Sequence, residues 1–205
     1  MRPPSVPSSL AAATAALPAG ARWRWIHCAS VGEYEQAVPV IEALKAPDPD
    51  LPVLLTVFSP SVWEPLTARR PEWMGPHDAL MPLPLDRPGA VRTWLAAVDA
   101  SRVAWCALVK YEVWPELLHQ LHQSGVPVHL FAAHVTEGAL PFKKWARVHR
   151  RAWQHLASVR VQDADSVARL AEIGVAATVL GDPRFDRVLA VAAAASDAPE
   201  IQALR

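Results

Sequence analysis

A chain of 205 residues that is 52% hydrophobic and 20% charged can bury a full core, which excludes disorder as its main state. Twenty Lys+Arg balance twenty Asp+Glu, so no global basic excess points to nucleic acid, and any anionic partner must be met by a local patch. No apolar run approaches the ~20 residues needed to cross a bilayer, and the two cysteines, lacking a CxxC spacing, read as small core residues of a reducing compartment.

Residues 1–21, an alanine stretch broken by prolines, read as a disordered lead. From Arg22 onward short β-type runs alternate with amphipathic helical runs, the pattern of a parallel sheet covered by helices. Residues 22–27 (RWRWIH) form the first expected strand. A helix over 34–45 follows, with apolar positions 37, 38, 40, 41 and 44, and Pro39 should bend it unless it falls in the first turns. The second strand is 52–58, and serine capping starts a helix that runs to about Arg69. A Trp/Pro-rich crossing leads to an extended piece at 80–85, a helix at 90–98 and a strand at 103–109. Pro115 opens a helix over 115–123 that Gly125 closes. The remaining expected strands are 126–132, 158–161 and 177–180, and the remaining helices 142–156, 164–173 and 185–195, with a polar linker at 196–205. Short links between these steps predict one α/β, doubly wound, mostly parallel sheet flanked by helices, a single Rossmann-like lobe over residues 22–195.

In such a sheet ligands sit at the carboxyl ends of the strands. The turn Cys28-Ala29-Ser30-Val31-Gly32-Glu33 offers free N–H groups and a glycine able to take a positive φ. Glu33 is then either a general base whose charged form the helix dipole favours, or a first-turn acid stabilised by that dipole and nothing more. Lys110-Tyr111-Glu112-Val113-Trp114 places a cation and a carboxylate beyond a hydrophobic strand, to bind hydroxyls or phosphate or to pair on the rim. In Gly181-Asp182-Pro183-Arg184, Arg184 could clamp an anion and Asp182 could cap the last helix.

The segment 141–156 (PFKKWARVHRRAWQHL) sets Lys143, Lys144, Arg147, Arg150 and Arg151 against Trp145, Val148, Ala152 and Leu156. It reads as a surface for an anionic membrane or phosphorylated headgroup, or as a solvated cationic face over a buried apolar one. There is no GxGxxG, P-loop, GxSxG or HExxH, so no cofactor and no metal are expected; His119 and His122 stand at i, i+3 with no third ligand.

Taken in order, HCASVGE (27–33), FSPS (58–61), LPLD (83–86), KYEVW (110–114) and GDPRFD (181–186) resemble the N-terminal half of the 3-deoxy-D-manno-octulosonic acid (Kdo) transferases. The resemblance implies a two-lobed glycosyltransferase of the GT-B type, moving Kdo from CMP-Kdo to a lipid A precursor at the cytoplasmic side of the inner membrane, without a metal. It makes Glu33 the base that deprotonates the acceptor hydroxyl and gives Ser30, Gly32, Ser59, Ser61, Lys110, Glu112 and Arg184 to acceptor binding. The basic patch at 143–151 would meet the headgroup or membrane, and no nucleic acid is a partner.

Three departures from the family pattern shape the expectation. The chain stops in what resembles the interdomain linker, so the donor lobe that carries most of the CMP-Kdo site would come from a separately encoded C-terminal domain or be lost. Residues 1–20 cannot serve as the hydrophobic anchor that many members carry, which predicts a peripheral chain. His134 stands where the family usually offers an Arg. The alternative of a different class is a noncatalytic glycolipid-binding domain that kept the acceptor cleft.

Overall fold

The protein is described by a computed structural model over residues 6–143 and 146–196. Its strands are β1 (Trp23–Cys28), β2 (Val53–Val57), β3 (Ala79–Pro82), β4 (Val103–Val109), β5 (Val128–Ala133), β6 (Ser158–Val161) and β7 (Thr178–Val179). They form one sheet in the order β3-β2-β1-β4-β5-β6-β7, and every neighbouring pair is parallel. The helices are α1 (Val6–Ala15), α2 (Val31–Lys45), α3 (Pro60–Ala68), α4 (Pro88–Val98), α5 (Pro115–Gln123), α6 (Arg147–Trp153), α7 (Ala164–Glu172) and α8 (Arg184–Ser196). This is the doubly wound α/β arrangement that the alternation of runs predicts.

Residues of the central strands are largely buried on both faces, which is why these strands read as unbroken apolar runs. Alternate side chains feed two core layers. Ile26, Cys28, Leu55, Val57, Ala107 and Val109 pack beneath α2 and α3, while Trp25, Leu54, Cys106 and Leu108 pack against α1, α4 and α5. Trp25 stacks on Trp94 of α4 with ring centroids 4.7 Å apart. Cys28 and Cys106 are free, buried thiols, one in each layer. Gly125 and Gly174 close α5 and α7 with φ of 71° and 73°.

The expectation for residues 1–21 is corrected over the described part. Val6–Ala15 is a helix packed on α4 and β3, Leu10 is fully buried, and Thr14 Oγ1 accepts from Trp23 Nε1 at 3.2 Å. Arg102 then ties the connection down by donating to the carbonyls of Ala21 and Pro18. Local sequence is misleading here because the stabilising partners lie far along the chain. Leu10→Ala is expected to lower unfolding free energy by about 2–5 kcal/mol, read as a lower denaturant midpoint at unchanged slope; a disordered lead would leave the midpoint alone.

A second correction concerns 142–156. The chain makes a 3₁₀ turn at Leu140–Phe142, and α6 spans Arg147–Trp153, about two turns instead of four. Ala146, Ala152 and Trp153 are buried while Val148 is 68% exposed, so the apolar side is rotated away from the one the 145/148/152/156 spacing predicts. The pull comes from the core: Trp153 inserts into the layer beneath α5 and turns the helix with it. Residues 144 and 145 lie outside the described residues, as do 1–5 and 197–205, and so most of the expected linker.

Candidate active site

Strand order reverses between β1 and β4, and at this switch point two consecutive crossovers leave in opposite directions and open a crevice at the strands' carboxyl ends. The turn 28–33 leaves β1 there, and the turn 110–114 leaves β4. The two candidate carboxylates therefore meet by topology, although 79 positions separate them.

Helix α2 begins at Val31, three residues earlier than the apolar spacing predicts, because Ser30 and Glu33 form a reciprocal capping box. Ser30 Oγ accepts from the Glu33 N–H, and Glu33 Oε2 accepts from the N–H groups of Ala29 at 2.6 Å and Ser30 at 3.2 Å. Glu33 is 6% exposed, and only its Oε2 is tied to the backbone. Its carboxyl lies above the usual range: burial is the first cause and the neighbouring Glu112 charge the second, outweighing the Ala29 and Ser30 hydrogen bonds. This corrects the expectation that the helix dipole would lower it. Gly32, in the first helical turn, has no positive φ, and a Cβ there would meet nothing within 4 Å. It leaves open space over the helix N-terminus and is not required by backbone conformation.

Glu112 accepts a short hydrogen bond from Trp114 Nε1 and stands 3.7 Å from Nε2 of His27. The Trp114 ring lies edge-on to both His27 and Phe58, which joins the ends of β1, β2 and β4. Ser59 caps α3 by accepting from the Ser61 N–H, its Oγ is 2.8 Å from Ser61 Oγ, and its own N–H donates to the Ala29 carbonyl. Ser30, Gly32, Glu33, Ser59 and Ser61 thus line adjoining turns, with Glu112 facing them.

Lys110 and Arg184 go elsewhere. Lys110 takes φ of 64°, sets its ammonium over the Tyr111 ring and lines a hollow of about 210 Å³ with His134, Leu140, His149 and Trp153. The Arg184 guanidinium is already occupied by Asp182, bound through Nε at 2.8 Å and Nη2 at 2.5 Å. Asp182 also caps the start of α8 through the Arg184 N–H and accepts from Gln36 and Gln162, so one carboxylate joins α2, β6 and α8. Burial opposes its charge, yet the hydrogen bonds of Arg184 and Gln36 hold its carboxyl below the usual range. The role of Gln36, and of Asp86, which caps α5 through the N–H groups of Glu116 and Leu117, has no local signal in the sequence because each partner is 30 or more positions away. His134 pairs with Asp163 at 2.7 Å.

Arg147, Arg150 and Arg151 line an open groove of about 840 Å³ with His119, His155 and Glu116. Arg150 donates to the Pro141 carbonyl, whereas neither Arg147 nor Arg151 pairs with a carboxylate among the described residues. Lys143 is exposed. No cluster of three or more His, Cys, Asp or Glu side chains among the described residues is placed to hold a metal ion, and none of the described helices is long and apolar enough to cross a membrane.

A family profile described as 3-deoxy-D-manno-octulosonic-acid transferase (kdotransferase) matches residues 6–187. A 3-deoxy-D-manno-octulosonic acid transferase of Bordetella pertussis is 34% identical over 179 residues, covering 80% of this chain and 38% of its own length. One from Haemophilus influenzae is 28% identical over 151 residues, 73% of this chain and 34% of the relative. One from Aquifex aeolicus is 34% identical over 94 residues, 46% of this chain and 24% of the relative. The chain thus spans less than two fifths of the length of each of these relatives. The profile match runs from α1 into α8 and takes in all five turns singled out above, and the chain belongs to the N-terminal domain family of the Kdo transferases.

Proposed function

We propose that this chain forms the acceptor side of an enzyme that transfers Kdo from CMP-Kdo to a lipid A precursor, with Glu33 as the general base. The observation that carries this reading is the meeting of Glu33 and Glu112 at the switch point, where the charge of one raises the proton affinity of the other. A base must hold a proton better than an ordinary carboxylate and still be ionised near neutral pH. In the proposed step the acceptor hydroxyl gives its proton to Glu33, its oxygen bonds to the anomeric carbon of Kdo, and the bond from that carbon to the phosphate oxygen breaks, releasing CMP. Oε1, which is not tied to the helix start, is the oxygen suited to receive the proton.

Ser30, Gly32, Ser59 and Ser61 would position the acceptor around Glu33. Lys110 and Arg184 would contribute from the margins, Arg184 after exchanging Asp182 for a ligand anion. Lys143, Arg147, Arg150 and Arg151 would face phosphates of the acceptor or of an anionic membrane, holding the chain peripherally at the cytoplasmic side of the inner membrane. CMP-Kdo would be held chiefly by a second domain.

The test uses this chain joined to the remaining C-terminal part of the Bordetella pertussis relative, assayed for Kdo transfer in vesicles containing lipid A precursor. Transfer is the expected result, with R147E/R151E lowering vesicle binding about tenfold or more. Acceptor binding with no transfer would point instead to a noncatalytic glycolipid-binding role, and no binding would contradict both.

A further inference from the structure

Behind Glu112 lies a buried polar chain that no step of the proposed transfer uses. Thr56 and His27 are cross-strand partners in the β1–β2 pairing, and both are fully buried. Trp25 Nε1 donates to Thr56 Oγ1 at 2.8 Å. His27 Nδ1 lies 3.0 Å from the same hydroxyl and 3.1 Å from the Thr56 carbonyl. His27 Nε2 has no hydrogen-bond partner, although it points toward Glu112 Oε2 at 3.7 Å.

Proton counting selects one arrangement. The Thr56 hydroxyl already accepts from Trp25, and its own hydrogen has one acceptor within reach among these side chains, His27 Nδ1. With Nδ1 as acceptor, the neutral imidazole carries its hydrogen on Nε2 and presents it to Glu112. The other tautomer would gain an Nδ1–H bond to the Thr56 carbonyl, but the hydroxyl hydrogen would lose its acceptor among these side chains and a bare nitrogen lone pair would face a carboxylate. Among the described groups, Glu112 is surrounded by His27 and Cys28 of β1, Glu33 of α2 and Trp114 of its own turn. Of these, the donors aimed at its carboxylate are the indole N–H, which is hydrogen-bonded to it, and the His27 Nε2–H, 3.7 Å away.

We infer that Thr56 and His27 are positioning residues: the Thr56 hydroxyl holds His27 in the Nε2–H tautomer, and His27 in turn holds the Glu112 carboxylate in place beside Glu33. The basicity of Glu33 is therefore set from the neighbouring strand, through a carboxylate that need not touch substrate. This inference rests on the reading of Glu33 as the base for its functional meaning, while its structural content is measurable without any transfer reaction.

The tautomer is read by long-range proton–nitrogen NMR on histidine-labelled protein, with H27N assigning the signal. The wild type and T56S are expected as Nε2–H, and T56V, which keeps the shape but not the hydroxyl, as Nδ1–H. A bare Nε2 in T56V turns the Glu112 carboxylate away from its place beside Glu33, so the Glu33 midpoint followed by carboxyl carbon NMR falls, with T56S restoring it. In the enzyme completed with a C-terminal domain, T56V should lower the neutral-pH rate about threefold and move the acid limb of the rate profile to lower pH. An Nδ1–H tautomer in the wild type overturns the inference, and that measurement needs no variant that might misfold. An unmoved Glu33 midpoint in a folded T56V overturns it too. Full transfer activity in E33Q would instead remove the general-base reading and leave both NMR results standing.

Discussion

Lys45→Met is expected to destabilise the protein by about 3–5 kcal/mol, because it strips one partner from a buried ion pair and leaves the other charge uncompensated. Lys45 Nζ sits 2.9 Å from Asp78 Oδ2, with side chains 8% and 0% exposed, and also donates to the carbonyls of Pro49 and Leu51. Asp78 in turn accepts from the N–H groups of Val53 and Gly75. Five polar contacts thus close the end of α2 onto the start of β2 and the crossing into β3. Loss of the ammonium leaves the buried Asp78 carboxylate with its two N–H donors but no counter-charge, which is the costly case, whereas K45M/D78N should recover part of the loss. Chemical denaturation of the wild type and the two variants at neutral pH measures this; a K45M midpoint within error of the wild type would contradict it.

Glu33→Gln should abolish most transfer while leaving the fold intact, two outcomes that the same substitution separates cleanly. Glutamine at the third helical position preserves the capping box, since its amide oxygen accepts from the Ala29 and Ser30 N–H groups as the carboxylate does. What it cannot do is take a proton. The expected loss is about 10²–10⁴-fold in the rate of Kdo transfer by the completed enzyme. Stability should move the other way. Because the folded protein holds the Glu33 proton more tightly than the unfolded chain, wild-type stability contributed by this group is complete at low pH and declines as pH rises from the ordinary carboxyl range through the raised folded value. E33Q lacks that decline and should be at least as stable as the wild type at neutral pH.

Much of this architecture is legible in the sequence because its signals are local. The continuous apolar runs of β1, β2, β4 and β5 announce strands buried on both faces, and Gly125 and Gly174 mark helix ends where a positive φ is required. The candidate site is legible to the same extent: the strand-end rule and the family resemblance bring Ser30, Glu33, Ser59 and Glu112 to one crevice. The Ser30 to Glu33 spacing is itself a capping box, and reading it as a loop hides both the true start of α2 and the way Glu33 is held. Other features depend on contacts that local patterns do not encode. The ordered α1 rests on Trp23, Arg102 and α4, the shortness of α6 follows from where Trp153 finds its pocket, and the Asp182 hub needs Gln36 from 146 positions away. His27 stands in the sequence as the end of an expected strand, and only its neighbours in register show which atoms it meets.

The proposed role of Glu33 as the base and a purely structural role differ in how the group titrates: a dipole-stabilised first-turn acid titrates low, whereas a base held by burial and a second carboxylate titrates high. The pH dependence of kcat/KM for Kdo transfer by the completed enzyme measures this directly, wild type against E33Q. The account predicts a wild-type rate that falls on the acid side with a midpoint above the ordinary glutamate range, and a residual E33Q rate lacking that limb. An acid limb that survives unchanged in E33Q, or full activity in that variant, would contradict it.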